Sequence, residues 1–143
     1  MEKIRGIAHM AITVKDMDRS LDFYTRVLGF KKVFEIPDPQ TGAPWINYLY
    51  IGNGQFVELF YNGQKENSWS EDLRGFNHLC LLVDDLHAVA EEIKMAGGII
   101  TDGPKQGCDH NWQAWTKDPD GVRIELMQID EKSPHYRAIQ ENK

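Results

Sequence analysis

The sequence predicts an α+β fold of two tandem βαβββ modules, each curling into a four-stranded mixed sheet. Three observations predict it. The stretch His9-Met10-Ala11-Ile12-Thr13-Val14-Lys15-Asp16-Met17 aligns with His78-Leu79-Cys80-Leu81-Leu82-Val83-Asp84-Asp85-Leu86, 69 residues later, with His, Val and Asp kept in place. Gly54-Gln55-Phe56-Val57-Glu58-Leu59 aligns with Gly121-Val122-Arg123-Ile124-Glu125-Leu126, 67 residues later. Between these anchors each copy holds one helical pattern followed by strand-length runs, and a repeat of this kind decides the fold before any single element does.

In the first copy, the strand from His9 ends near Asp16, a residue type that caps helices. The helix is expected from about Asp18 to Leu28, with Leu21, Tyr24 and Leu28 on one face. Gly29 follows as its terminator, because the residue after a helix often needs the positive φ that a side chain disfavours. Strands are expected over Lys31–Ile36, Trp45–Ile51 and Phe56–Tyr61, with the proline-rich Pro37–Pro44 stretch as a loop. The polar stretch from Asn62 to Gly75 links the copies. The second copy repeats the order: a strand from His78, then a helix over Leu86–Ala96 with Leu86, Val89, Ile93 and Ala96 inward, closed by Gly97-Gly98. Its later strands are expected over Ile99–Thr101, Gln113–Lys117 and Arg123–Gln128, the last two joined by the turn Asp118-Pro119-Asp120-Gly121. This gives one domain over residues 1–130, with module one at about 4–62 and module two at about 75–129. Residues 131–143 form a tail outside the repeat, read as a short helix. Neither curled sheet buries its concave face alone, so the modules are expected to pair, within one chain or between chains.

Composition limits what such a fold does here. Of 143 residues, 16 are Lys or Arg and 22 are Asp or Glu, for a net charge of −6, with no basic cluster. Phosphate backbones and anionic membranes are therefore poor partners. The longest apolar run, Leu79–Val83, falls far short of the roughly 20 residues of a membrane span. The opening Met1-Glu2-Lys3-Ile4-Arg5-Gly6 has no signal-peptide character. The two cysteines, Cys80 and Cys108, stand in no metal or redox spacing, and Cys80 reads as a small buried hydrophobe. The expectation is a cytoplasmic protein that handles a small molecule.

The most faithfully repeated residues are not packing residues but one His and one Glu per copy: His9, Glu58, His78 and Glu125. Strand alternation puts Glu58 on the face of Phe56 and Phe60, opposite Val57 and Leu59. A carboxylate buried there without a partner costs several kcal/mol, so a lined cavity calls for a cation. A single strand His is usually a hydrogen-bonded core residue, and a single strand Glu usually sits on the wet face. Their joint duplication points to a shared site. Two imidazoles and two carboxylates suit Zn, Ni, Co, Fe or Mn. A set without thiolate that leaves coordination positions open is catalytic in character. His87 on a helix and His135 in the tail read as surface residues, whereas His110 lies in the Gly107–Trp112 loop as a further substrate-contact candidate.

These features, with Ser20-Leu21-Asp22-Phe23-Tyr24, Leu28-Gly29-Phe30, Arg74-Gly75-Phe76-Asn77-His78 and Asp118-Pro119-Asp120-Gly121, make the chain resemble the vicinal oxygen chelate superfamily. Within it the sequence is most similar to the glyoxalase I (lactoylglutathione lyase) family, over nearly the whole chain to about Gln128. The resemblance implies the glyoxalase/bleomycin-resistance/extradiol-dioxygenase fold. It also implies one divalent ion per site on His9, Glu58, His78 and Glu125, with Ni, Co or Zn as the family metals and Mn or Fe also compatible. Having Glu58 as a fourth ligand separates the chain from members that use two His and one Glu. The implied reaction converts the hemithioacetal of a 2-oxoaldehyde into a 2-hydroxyacyl thioester through an enediolate. Glu125 would be the catalytic base and Glu58 its counterpart. Asn62, Arg74 and Asn111, with the neighbouring Trp112, are the implied substrate contacts, the substrate being a glutathione or other thiol adduct. Thr13 and Asn111 replace basic residues that family members use to grip glutathione, and the Asn111–Trp115 stretch suggests a flatter or more neutral ligand. In related enzymes the modules often pair across a homodimer. An epimerase or isomerase of another α-acidic carbonyl compound, such as a methylmalonyl-CoA-type ester or keto-sugar, and a non-catalytic drug-binding module are the alternatives.

Overall fold

The computed structural model describes residues 4–66, 69–72 and 74–143. The chain groups into two compact units, residues 1–67 and 68–143. The first unit contains β1 (His9–Thr13), α1 (Met17–Asp22), a π-helical turn (Phe23–Val27), β2 (Lys31–Pro37), β3 (Pro44–Gly52) and β4 (Gln55–Phe60). The second contains β5 (Leu79–Leu82), α2 (Leu86–Met95), β6 (Asp102–Gln106), β7 (Trp112–Lys117) and β8 (Arg123–Gln128), followed by α3 (Pro134–Glu141). The sheets have matching orders, β1-β4-β3-β2 and β5-β8-β7-β6. In each, the first strand runs parallel to the last and the other neighbours are antiparallel. The duplicated order is the βαβββ repeat realised in space.

The repeated aspartates do the same work in both units. Asp16 Oδ1 accepts the Arg19 N–H and Asp85 Oδ1 accepts the Ala88 N–H, both at 3.0 Å. Each thereby satisfies one of the N–H groups that a helix start leaves without an intrahelical partner. Each sheet then buries one face against its helix. In the first unit Ile12, Val57, Leu59 and Leu49 pack with Met17, Phe23 and Tyr24, all under a tenth exposed. Tyr24 lies at the centre, edge-on to Phe23 at 5.3 Å and stacked on Phe30 at 5.9 Å. In the second unit Leu79, Ala114, Ile124 and Leu126 pack with Leu86, Ala90 and Ile93.

Several expectations are corrected by the structure. The first helix is α-helical only to Asp22 and then widens into the π-turn, so Phe23 and Tyr24 are buried together whereas Leu21 and Leu28 are half-buried. In α2 the inward set is Leu86, Ala90 and Ile93, with Val89 and Ala96 at the margin. The strand expected at Ile99–Thr101 begins three residues later, as β6. Ile99 and Thr101 still touch β7, but irregularly: the Thr116 hydroxyl donates to the Ile99 carbonyl, and the Thr101 N–H to the Trp115 carbonyl. Cys80 is exposed rather than buried, on the face opposite the helix. The tail does form a helix, capped by the Ser133 hydroxyl, which accepts the Tyr136 N–H at 2.9 Å. Part of the linking stretch, residues 67, 68 and 73, lies outside the described residues. Among the described residues no helix is long and apolar enough to cross a membrane.

Candidate active site

With one face of each sheet covered by its helix, period-2 alternation assigns the other face. In the first unit the register aligns Ala11, Glu58 and Tyr48 across three strands, flanked by His9, Phe56 and Tyr50 on one side. Glu58 therefore stands with Phe56 and Phe60, and Val57 and Leu59 point to the helix. The side chain of Glu58 is only 6% exposed, and its Oε1 lies 3.3 Å from Nδ1 of the half-exposed His9. Tyr48 stands opposite Glu58 on the neighbouring strand. Hydrogen bonding to Glu58, then burial, then the Glu58 charge raise its phenol above the ordinary value. Phe34 stacks on Tyr48 with centroids 4.2 Å apart, so an aromatic wall adjoins the carboxylate.

The second unit repeats the pair. The register places Cys80, Glu125 and Trp115 side by side. His78 Nε2 is 3.0 Å from Glu125 Oε2, whose side chain is 14% exposed. Trp115 meets the His78 ring edge-on at 4.9 Å. The Cys80 thiol is pushed up to about 12, first by desolvation and then by the charge and hydrogen bonding of Glu125. Asn77 reaches the ring, and Arg123 reaches Asn77. His78 Nδ1 is 2.8 Å from Asn77 Oδ1, which also accepts from an Arg123 guanidinium nitrogen at 3.0 Å.

Among the described residues no group of three or more His, Cys, Asp and Glu side chains gathers to hold a metal ion; each unit brings two. The pairs have a spacing that fits one. Two ligands each about 2.0–2.2 Å from an ion stand about 3 Å apart at an octahedral right angle and about 3.5 Å apart at a tetrahedral angle. The observed 3.3 and 3.0 Å lie in that range. Imidazole nitrogen with carboxylate oxygen is also a donor set that first-row divalent ions accept.

The expected substrate contacts are placed unequally. Asn62, two residues past β4, is exposed at φ 70°. Arg74 is exposed as well. Asn111 is 1% exposed, its amide donating to Asp109 Oδ2 at 2.7 Å while its oxygen accepts the Asp130 N–H at 3.1 Å. It ties a loop to the tail. Trp112 alternates to the helix-covered face, against His87 at 5.7 Å. Trp115 is the tryptophan on the Glu125 face. His110 is exposed at φ 69°, its carbonyl bonded by the Gln106 amide. Tyr48, Asn77 and Arg123 were not singled out from the sequence. Arg123 was the most legible of them, because a residue two before Glu125 on one strand shares its face.

The fold is a βαβββ duplication that carries one His–Glu pair in each unit, and the chain belongs to the Glyoxalase/Bleomycin resistance protein/Dioxygenase superfamily, whose pattern matches residues 6–126. Among individual relatives, a probable lactoylglutathione lyase of Vibrio parahaemolyticus is 37% identical over 133 residues, covering 89% of this chain and 93% of the relative. A lactoylglutathione lyase of Escherichia coli O157:H7 is 32% identical over 130 residues, covering 85% and 91%. The crystal structure of a glyoxalase family protein from Enterococcus faecalis shares the fold, with a TM-score of 0.74 at 22% identity over 86% of this chain and 97% of that one.

Proposed function

We propose that the protein is a metal-dependent, glyoxalase I-like lyase that converts the hemithioacetal of a 2-oxoaldehyde into a 2-hydroxyacyl thioester. The observation that carries this reading is the duplicated His–Glu pair, at 3.3 and 3.0 Å, on the face of each sheet opposite its helix. The names of the relatives support it. In this reading His9, Glu58, His78 and Glu125 together hold one divalent ion, Ni, Co or Zn by family likeness and Mn or Fe by donor chemistry. They do so in one chain or, as we favour, across a homodimer.

When bound, the ion supplies Lewis acidity to the two neighbouring substrate oxygens. Glu125 removes the proton from the carbon bearing sulfur, leaving an enediolate, and the proton returns to the adjacent carbon. The first carbon is thereby oxidised to the thioester carbonyl and the second reduced to a carbinol, so no external redox cofactor is required. Glu58 is the counterpart carboxylate, beside His9 and Tyr48. Asn62 and Arg74 are the proposed contacts to the thiol carrier. Two observations favour a carrier with fewer carboxylates than glutathione, or another α-acidic carbonyl substrate. Thr13, opposite Phe60 on the Glu58 face, stands where relatives of this kind place a cation, and Asn111 is already engaged.

The test is restoration. Protein stripped with a chelator is expected to be inactive and to regain 2-hydroxyacyl thioester formation on addition of Ni²⁺, Co²⁺ or Zn²⁺. A panel of hemithioacetals formed from methylglyoxal and different thiols then ranks the carriers. Fully metal-loaded protein that turns over none of them, while epimerising a 2-methyl-branched acyl-CoA, overturns the lyase reading in favour of the epimerase.

A further inference from the structure

We propose that Asn77 and Arg123 are positioning residues that hold the His78 ring in the tautomer with its hydrogen on Nδ1, leaving Nε2 as the nitrogen given to a metal ion; this rests on the reading of His78 as a ligand. The two ends of an asparagine amide have the same shape, and a neighbour decides which end faces where. Here that neighbour is a guanidinium, which carries donors only. Arg123 donates to Asn77 Oδ1 at 3.0 Å, so the oxygen faces it. The same oxygen lies 2.8 Å from His78 Nδ1, and an oxygen at that distance requires the nitrogen to be the donor. A neutral imidazole has one hydrogen, so Nε2 is left with its lone pair.

Nε2 lies 3.0 Å from Glu125 Oε2. Two acceptors face each other at this distance only around a shared cation, either a proton or a metal ion. The lock thus presents a donor pair already aligned for a cation, and it does so without using Nε2. Arg123 is itself held in place. Its guanidinium lies 3.7 Å from the Trp69 ring centroid and 4.6 Å from that of Trp115, within cation–π range. Trp115 also abuts the His78 ring at an interplanar angle of 70°, restricting its rotation.

The device belongs to the second module alone. At the equivalent repeat positions the first module has Ala8 and Phe56, neither of which has a side chain able to hold a ring nitrogen, and His9 turns its Nδ1 rather than its Nε2 to the glutamate. An outer partner of this kind typically changes metal affinity by about 10–100-fold.

The experiment uses ¹⁵N-histidine-labelled, metal-free protein at a pH where the ring is neutral, and reads the two His78 nitrogens by NMR. The affinity for Co²⁺ is measured in parallel by competition with a chromophoric chelator. Wild type and Asn77→Asp, which keeps an acceptor, are expected to show hydrogen on Nδ1. Asn77→Leu is expected to move it to Nε2, where it donates to Glu125, and to weaken Co²⁺ binding about 10–100-fold with the thermal transition retained. Arg123→Met frees the amide to turn, giving a mixture of tautomers, and carries the test if Asn77→Leu does not fold. Hydrogen on Nε2 in the wild type, or unchanged tautomer and affinity in the variants, overturns the proposal. A wild-type protein with the locked tautomer but no Co²⁺ binding leaves the lock standing and overturns the metal-dependent function instead.

Discussion

The assignment of Glu125 as base is tested by Glu125→Gln. Glutamine has the same length and keeps one oxygen, so the 3.0 Å approach to His78 can persist, and a side chain already 14% exposed needs no repacking. Stability is therefore expected to change little, while the ability to take up the substrate proton is lost. Removing a general base costs about 10²–10⁴-fold, which is about 2.7–5.5 kcal/mol on the barrier at about 1.4 kcal/mol per tenfold. Glu58→Gln is the matched control. Its carboxylate is buried beside His9 and Tyr48, so its replacement is expected to weaken metal retention with a smaller loss in turnover per bound ion. Turnover of the hemithioacetal is measured with the metal content of each sample determined by elemental analysis, because a demetallated protein mimics a lost base. The reasoning fails if metal-loaded Glu125→Gln turns over within a few-fold of wild type. If Glu58→Gln is then the inert variant, the two carboxylates hold each other's roles.

Three further outcomes are expected. Mixing His9→Ala and His78→Ala proteins, each inactive alone, should restore activity in one site of each heterodimer; heterodimers confirmed by mass spectrometry that remain inactive would show that the site is not shared between chains. Ser20 is fully buried in α1 with a hydroxyl that has no hydrogen-bond partner among the described residues, so Ser20→Ala should raise stability by about 0.5–1 kcal/mol, read as a shift of the urea midpoint at constant slope. Asp118 is 5% exposed and accepts the N–H groups of Asp120 and Val122 at 2.9 and 2.8 Å, so Asp118→Ala should lower stability by about 2–3 kcal/mol in the same assay.

The legible part of this molecule is the part governed by short periods and by duplication. Alternation alone placed Glu58 with Phe56 and Phe60, and the repeated His, Asp and Glu positions foretold two like-ordered sheets with capped helices. Cys80 escaped because the run from Leu79 to Val83 is apolar throughout and hides its own alternation, although Leu79 buried against α2 leaves Cys80 no place but the Glu125 face. Trp112 and Trp115 look alike in sequence, yet they lie three positions apart on one strand and so must face opposite ways. The start of β6 was missed because Thr101 and Ile99 are held by bonds to Trp115 and Thr116 that mimic a ladder without its register. The bond from Arg123 to Asn77 spans 46 positions, and nothing in either local stretch announces it.

The π-turn at Phe23–Val27 settles a difference in length between the two helices. From the capping aspartate to the terminating glycine the first module takes 13 steps, Asp16 to Gly29, and the second takes 12, Asp85 to Gly97. The helix of the first module therefore fits one more residue between its capping aspartate and its terminating glycine than that of the second does. Both ends of that helix are committed, to an aspartate and to a glycine. A straight α-helix would swing everything beyond the extra residue by about 100° and take Tyr24 out of the core. A single wider turn absorbs the difference within a few residues, so Phe30 stacks on Tyr24 and β2 takes its place at the edge of the sheet.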